Sequence, residues 1–192
     1  NLTGRSLTGN QTLLGGEGND ILTATGKTIN LDGGEGSDNI YAYSYIELEG
    51  NRDYLSDGKV ILKGGEGDDY IYSYEYDSVE IEGGSGRNWL HAWGQSNKNL
   101  KEAIVKGGGD DDYLEVSYYL ETKLDGGEGD DRIHDTNSGY SSVKGGLGED
   151  NINSYSHSNL IEGGEGADTL ASTLRPDDFR WYFNQQFSGE DL

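Results

Sequence analysis

A Gly-Gly pair recurs eight times along the chain, beginning at Gly15, Gly33, Gly64, Gly83, Gly107, Gly126, Gly145 and Gly163, with spacings of 18, 31, 19, 24, 19, 19 and 18 residues. A repeat of this length constrains a fold more than local propensity does, because each period must be one unit that buries its apolar face against its neighbours. Five residues after each first glycine stands Asp20, Asp38, Asp69, Asn88, Asp112, Asp131, Asp150 or Asp168. Seven after it stands Leu22, Ile40, Ile71, Leu90, Leu114, Ile133, Ile152 or Leu170, and two before it Leu13, Leu31, Leu62, Ile81, Val105, Leu124, Val143 or Ile161. These offsets describe a coil of strand, glycine turn, strand and a plainer return such as Thr25-Gly26-Lys27, with two inward positions per period. Coils stacked at about 4.8 Å make two parallel sheets around a thin aliphatic ladder. The 31-residue spacing is read as hiding a degenerate ninth coil, with Leu48 and Leu55 inward around Gly50 and Asp53. Nine coils give a rod roughly 40 Å long. His91 to Leu100 reads as an extended return loop.

Composition says that such a core needs help. Of 192 residues, Leu, Ile, Val and Phe number 38, and 36 acidic against 14 basic residues leave a net charge of −22. Low apolar content with high charge is the mark of a disordered chain unless something else folds it. The acidity also excludes nucleic-acid binding, which needs a basic surface. Without cysteine there is no disulfide, thiolate nucleophile or zinc finger. No apolar run of about 18 residues predicts a membrane span, and residues 1–20 lack a signal-peptide pattern. The absence of Met and the start at Asn1 point to a piece of a larger or processed protein.

The turns themselves read Gly15-Gly16-Glu17-Gly18-Asn19-Asp20 or Gly126-Gly127-Glu128-Gly129-Asp130-Asp131, each leading into a strand. Over residues 13 to about 171 this resembles the RTX repeat family, whose nonapeptide G-G-x-G-x-D-x-U-x binds Ca²⁺ in a parallel β-roll. The resemblance implies that carbonyls and the Asp carboxylate of one turn share calcium with the turn one coil away. The implied side-chain ligands are Asp20, Asp38, Asp69, Asp112, Asp131, Asp150 and Asp168. The implied backbone donors are Gly15, Glu17 and Asn19; Gly34 and Gly36; Gly65 and Gly67; Gly107, Gly109 and Asp111; Gly126, Gly127, Glu128, Gly129 and Asp130; Gly145, Gly146, Leu147, Gly148 and Glu149; and Gly164 and Gly166. It further implies secretion, with export by a type I system in an unfolded state and folding in the calcium-rich exterior.

The chemistry supports that reading independently. Glycines let consecutive carbonyls point to one side, and Ca²⁺ accepts six to eight oxygens from carbonyls and carboxylates. Stacked carboxylates about 5 Å apart repel by roughly 1 kcal/mol per pair in water and more at lower dielectric, which a cation reverses. At free calcium ten times Kd each site adds about 1.4 kcal/mol, so five add roughly 7 kcal/mol, the stability of an ordinary domain. The expectation is a disordered apo chain and a folded form holding about four to six Ca²⁺ ions. One motif per 18 or 19 residues places all glycine turns on one edge, unlike the tandem nonapeptides of the family. Asn88, Asp110 and the interruption between Gly33 and Gly64 mark the sites where binding is least expected. A P-loop or dinucleotide turn would open a helix and an EF-hand would be flanked by helices, and neither pattern is present.

Tyr41, Tyr43, Tyr45, Tyr70, Tyr72, Tyr74, Tyr76, Trp89, Trp93, Tyr113 and Tyr119 alternate with the inward column and are expected to face out as an aromatic ladder. They are either sheet packing or a face for a glycan or a neighbouring domain, with Tyr41, Tyr43, Tyr72, Tyr74, Trp89 and Trp93 as candidate contacts. His91, His134 and His157 follow the aliphatic column and are expected on strands facing solvent. No nucleophile turn surrounds any Ser, so no catalytic residue is assigned. Phe179, Phe183 and Phe187 share a helical face after Pro176, which predicts a capping helix over 175–192. The fold class is all-β, a right-handed parallel β-roll or solenoid of eight or nine coils over 1–174 with that short C-terminal cap. The function expected is a calcium-binding module of a secreted or cell-surface bacterial protein, with a carbohydrate- or protein-binding module as the alternative.

Overall fold

The computed structural model describes residues 2–48, 51–96 and 100–172. The two aliphatic positions beside each glycine turn become two stacked columns. Leu13, Leu31, Leu62, Ile81, Val105, Leu124, Val143 and Ile161 pair in register along one face. Leu22, Ile40, Ile71, Leu90, Leu114, Ile133, Ile152 and Leu170 do so along the other. All but Leu13 and Leu170 are at most 6% exposed. Those two pack against the same core from the terminal coils.

The first face is built from β1 (Leu2–Glu17), β2 (Ile21–Glu35), β6 (Lys59–Glu66), β8 (Ser78–Ser85), β10 (Leu100–Gly108), β12 (Tyr119–Glu128), β14 (Tyr140–Leu147) and β16 (Ser158–Glu165). The second continues from β1 and β2 through β3 (Asn39–Tyr43), β7 (Tyr70–Tyr74), β9 (Trp89–Trp93), β11 (Tyr113–Ser117), β13 (Arg132–Thr136), β15 (Asn151–Tyr155) and β17 (Thr169–Ser172). Together they form one parallel fifteen-stranded sheet that doubles back at β2, which runs unbroken through the return residues Thr25-Gly26-Lys27. The described chain is therefore an all-β solenoid of eight coils, and no helix occurs among the described residues. The expected cap over 175–192 lies outside them.

The expected ninth coil does not exist. β2 pairs directly with β6 and β3 with β7, so the turns at Gly33 and Gly64 are neighbours. The surplus residues leave as an antiparallel hairpin, β4 (Tyr45–Leu48) and β5 (Asn51–Tyr54). The stack is rejoined where the Leu55 amide donates to the Ser44 carbonyl at 2.7 Å. His91 to Trp93 likewise belongs to β9 rather than to a loop, so the departure from the coil begins at Gly94.

Each coil has four inward positions rather than two, and the second pair lies near the return. On one face these are Ile29, Val60, Val79 and Ala103, then Thr122, Ser141 and the half-buried Asn159; on the other, Ala24, Ala42, Ser73, Ala92 and Val116, then Asp135 and Ser154. The interior thus turns polar toward the C-terminal coils. Asp135, fully buried, accepts hydrogen bonds from Thr122 at 3.1 Å, Ser138 at 2.7 Å and Ser156 at 2.6 Å. Burying a carboxylate is tolerable only with such partners.

Two tyrosines expected outside are inside. Strand alternation ends at Glu75 (φ 61°) and Tyr118 (φ 65°), whose left-handed backbone turns the next side chain inward. Tyr76 and Tyr119 are consequently 0% and 2% exposed, and the Tyr76 hydroxyl donates to the Gly26 carbonyl at 2.9 Å. Asn137 (φ 58°) does the same for the buried Ser138.

On the outer surface of the first face, the residue before each glycine pair from the second onward alternates in sign. Asp32, Lys63, Glu82, Lys106, Asp125, Lys144 and Glu162 stand in register, coil by coil. Opposite charges on adjacent strands favour this pairing and disfavour slipped ones.

Candidate metal sites

The eight glycine turns stack along one edge, as one motif per coil requires. The second glycine of each pair has φ between 100° and 133°, a region that residues with a Cβ rarely adopt. A Cβ on Gly65 would also collide with the Gly34 carbonyl of the coil below. Gly34, Gly65, Gly127, Gly146 and Gly164 are thus fixed both by backbone and by close stacking.

The motif Asp side chains form a ladder along the inside of this edge. Asp20 N donates to Asp38 Oδ1 at 2.7 Å and Asp38 N to Asp69 Oδ1 at 2.8 Å. After Asn88 the ladder continues from Asp112 N to Asp131 Oδ1 at 2.8 Å, Asp131 N to Asp150 Oδ1 at 2.9 Å and Asp150 N to Asp168 Oδ1 at 3.0 Å. The interruption between Gly33 and Gly64, expected to weaken a site, leaves this ladder intact. A second ladder runs the opposite way along the rim. Asn19, Asp68, Asp111 and Asp130 accept from the amides of Ser37, Arg87, Asp130 and Glu149 in the next coil at 2.8 to 3.0 Å.

One oxygen of five of these carboxylates is left over. Oδ2 of Asp38, Asp69, Asp112, Asp131 and Asp150 is buried without a hydrogen-bond partner, and these residues are at most 2% exposed. Each Oδ2 lies over the bare Cα of the first glycine of its own turn, beside the carbonyl oxygen of the first glycine in the next turn. A Cβ on Gly64 would meet both Asp69 Oδ2 and Gly83 O, and one on Gly126 both Asp131 Oδ2 and Gly145 O. The same pair of oxygens recurs at Gly33, Gly107 and Gly145, and at Gly15 with the half-buried Asp20.

Burial holds these acids well above the usual carboxylate range. Asp69, Asp112 and Asp131 are pushed up to about 7, chiefly by desolvation, with neighbouring aspartates adding to it. Asp38 and Asp150 shift in the same direction for the same reason. A buried anionic oxygen without a partner is costly, and a cation beside it reverses the shift. Among the described residues no three His, Cys, Asp or Glu side chains converge as a metal cluster. The donors here are instead one carboxylate oxygen and several carbonyls per gap, the mixed oxygen set that suits a hard cation such as calcium.

Of the residues singled out from the sequence, Asp20, Asp38, Asp69, Asp112, Asp131 and Asp150 each meet a first-glycine carbonyl in this way, and among the expected donors those carbonyls belong to Gly126 and Gly145. Gly107 O meets Asn88 Nδ2 instead, Gly15 lends only its bare Cα, and Asp168 stands over Gly163 with no carbonyl of a further turn beside it. The first-glycine carbonyls of Gly33, Gly64, Gly83 and Gly163 meet an aspartate equally and are not among the expected donors, although their position in the repeat marks them. Leu147 O accepts from Gly129 N at 2.8 Å, and the amides of Gly36 and Gly148 donate to Glu66 and Glu165 carbonyls, so these positions also tie adjacent turns together directly. The rim residues Asn19, Asp111, Asp130 and Glu149 stand outside the inner ladder. Glu17, Gly67, Glu128 and Gly166 follow the same turn positions.

The aromatic residues pack mainly on one another. Tyr41, Tyr43, Tyr45, Tyr70, Tyr72 and Tyr74 are half-buried, with Tyr72 and Tyr74 stacked at 6.2 Å and Trp89 against Tyr113 at 5.5 Å. His91, expected in solvent, is wedged between Tyr70 and Tyr113 rings with Nδ1 3.1 Å from Glu115 Oε2, and burial lowers its pKa. His134 is half-buried against Tyr155. His157 is exposed but lies in the bend after β15 rather than on a strand, its Nδ1 2.9 Å from the Ser138 carbonyl.

A family model, the RTX calcium-binding nonapeptide repeat, matches the chain in four copies, at residues 7–26, 54–75, 123–134 and 135–170. Neither a curated protein nor a solved structure matches it. By these four matches, on turns that stack coil upon coil in the register of the repeat, the chain carries RTX calcium-binding nonapeptide repeats.

Proposed function

We propose that the chain is a calcium-dependent structural module of a secreted bacterial protein, exported unfolded by a type I system and folded by Ca²⁺ outside. The observation that carries this reading is the row of buried Asp Oδ2 atoms without partners, each beside a carbonyl of the next turn. Calcium between the turns would be held by Asp38, Asp69, Asp112, Asp131 and Asp150 with the flanking first-glycine carbonyls, and at the first gap by Asp20. When bound, it neutralises charge that otherwise opposes stacking. The chain's own part is to hold each carboxylate by its Oδ1 bond so that Oδ2 stays aimed at the gap. Titration calorimetry with Ca²⁺, and Mg²⁺ as control, is the test. Five or six calcium ions support the reading, and no binding at millimolar calcium overturns it.

A second reading is a saccharide-binding face, favoured by Trp93. This residue is 43% exposed and borders an open cavity of about 540 Å³ with Tyr74, Gln95, Glu115, Tyr118 and Thr136. An exposed indole among polar side chains suits the apolar face of a sugar ring. Glycan-array binding in calcium that is lost in Trp93→Ala supports it, and an array with no binding removes it.

A further inference from the structure

The fourth turn, Gly83-Gly84-Ser85-Gly86-Arg87-Asn88, differs from the others at the atom that matters for a cation. In the regular gaps the point above the first glycine's Cα is shared by a carboxylate Oδ2 and the next turn's carbonyl. Above Gly83 that point lies 2.6 Å from Gly107 O and 2.7 Å from Asn88 Nδ2. An N–H donor stands where the other turns present an anionic oxygen.

The amide cannot turn over to correct this. Asn88 Oδ1 accepts from the backbone amide of Asp69 at 3.1 Å, and that amide can only donate. Asn88 Nδ2 donates to the Gly86 carbonyl at 2.9 Å, which can only accept. Both partners dictate the same orientation. Asn88, fully buried, therefore leaves no orphaned oxygen for a metal.

The turn above is altered to match. Asp110, at φ 66°, stands where the repeat has its third glycine, and its Oδ2 accepts from Gly86 N at 3.2 Å. In regular gaps the amide equivalent to Gly86 N goes to a main-chain carbonyl one coil on, as Gly67 N does to Ser85 O. Arg87 adds a fixed positive charge at the rim position that holds Asp68, Asp111 or Asp130 in other turns.

We propose that the gap between the fourth and fifth turns is closed to calcium by Asn88, which divides the metal array into two separate stacks. One stack spans the gaps at Asp20, Asp38 and Asp69, the other those at Asp112, Asp131 and Asp150. Asn88 Nδ2 does internally what calcium does elsewhere, so the solenoid passes through a metal-free joint without a break in the Asp ladder. This rests on the calcium reading above.

The test is the number of bound ions, by calorimetry and native mass spectrometry, in the whole chain and in Asn88→Asp. The unaltered chain is expected to hold no more than six, and the variant one more. Seven ions in the unaltered chain, or an unchanged count in a variant whose circular dichroism in calcium matches it, overturns the joint. If Asn88→Asp does not fold, Arg87→Asp with Asn88 retained takes its place: an unchanged count supports the joint and an added ion overturns it. No calcium bound by any of these proteins overturns the calcium reading itself, an outcome distinct from failure of the joint alone.

Discussion

The amide of Asp131 donates to Oδ1 of Asp150 at 2.9 Å while Oδ2 of the same Asp150 is buried with no partner. Asp38, Asp69, Asp112, Asp131 and Asp150 are each therefore both a strut between coils and an anion in need of a cation. The strut holds the geometry and the leftover oxygen makes it conditional on metal.

Replacing one such residue separates the two roles. Asp131→Asn keeps an oxygen for the Asp112 amide and, like Asn88, gains a donor in place of the orphaned oxygen. The variant should bind one calcium fewer in a calorimetric titration. In chelator it should be more strand-rich than the parent by circular dichroism, because a buried charge is gone. A variant less structured in chelator than the parent would show that the orphaned charge does not oppose folding.

Acid should act in opposite directions on the two states. Asp69, Asp112 and Asp131 sit at about 7 in the calcium-free coil, against an ordinary value of 3.8. Between those values the folded chain binds more protons than the unfolded one, so calcium-free stability falls as pH rises through this window and is greatest on its acid side. Calcium needs the ionised form, so its affinity should weaken as pH drops from 8 to 5. Chelated protein that gains strand signal at pH 5, together with a weaker calcium isotherm there, is the expected pair of results.

The stacking glycines can be tested against each other. Gly146 has φ 133° and a Cβ there would strike Gly127, whereas Gly18 has φ 92° and open space around it. Both Ala variants carry backbone strain of about 1 to 3 kcal/mol, and only Gly146→Ala adds a backbone collision. Thermal unfolding in calcium should fall much further for Gly146→Ala. Equal losses would mean that close stacking of the turns contributes nothing.

Excising the hairpin should leave the solenoid intact. Because β2 pairs with β6 and β3 with β7 across it, joining Ser44 to Leu55 through a short glycine linker removes no parallel pairing. Calcium stoichiometry should be unchanged, and strand content should fall only by the hairpin's own two strands. A lost ion would mean that the 31-residue interval contributes a site.

The period made most of this architecture legible, since residues such as Leu62 and Ile81 occupy one column by count alone and the structure stacks them. The charge column from Asp32 to Glu162 was equally visible, being the residue before each glycine pair, but alternation between coils shows only when repeats are aligned. Tyr76 and Tyr119 were misplaced because strand alternation was carried past Glu75 and Tyr118, and neither residue type announces a left-handed backbone. The hairpin resembles a coil because Leu48 stands two residues before Gly50 and Leu55 two after Asp53, as in the motif, although the two leucines are seven residues apart rather than nine. At the site, the aspartates were evident from the repeat. Which of their oxygens is tied and which is left over depends on stacking between residues 18 to 31 apart, and local pattern does not show it.

The central claim is that calcium supplies what this small core does not, and far-UV circular dichroism in excess chelator and then in millimolar calcium tests it most directly. A largely unordered spectrum in chelator at pH 8 and a strand spectrum on adding calcium, reversed by further chelator, are the expected results. The same strand spectrum in both conditions would contradict it and leave the glycine turns as metal-independent structure.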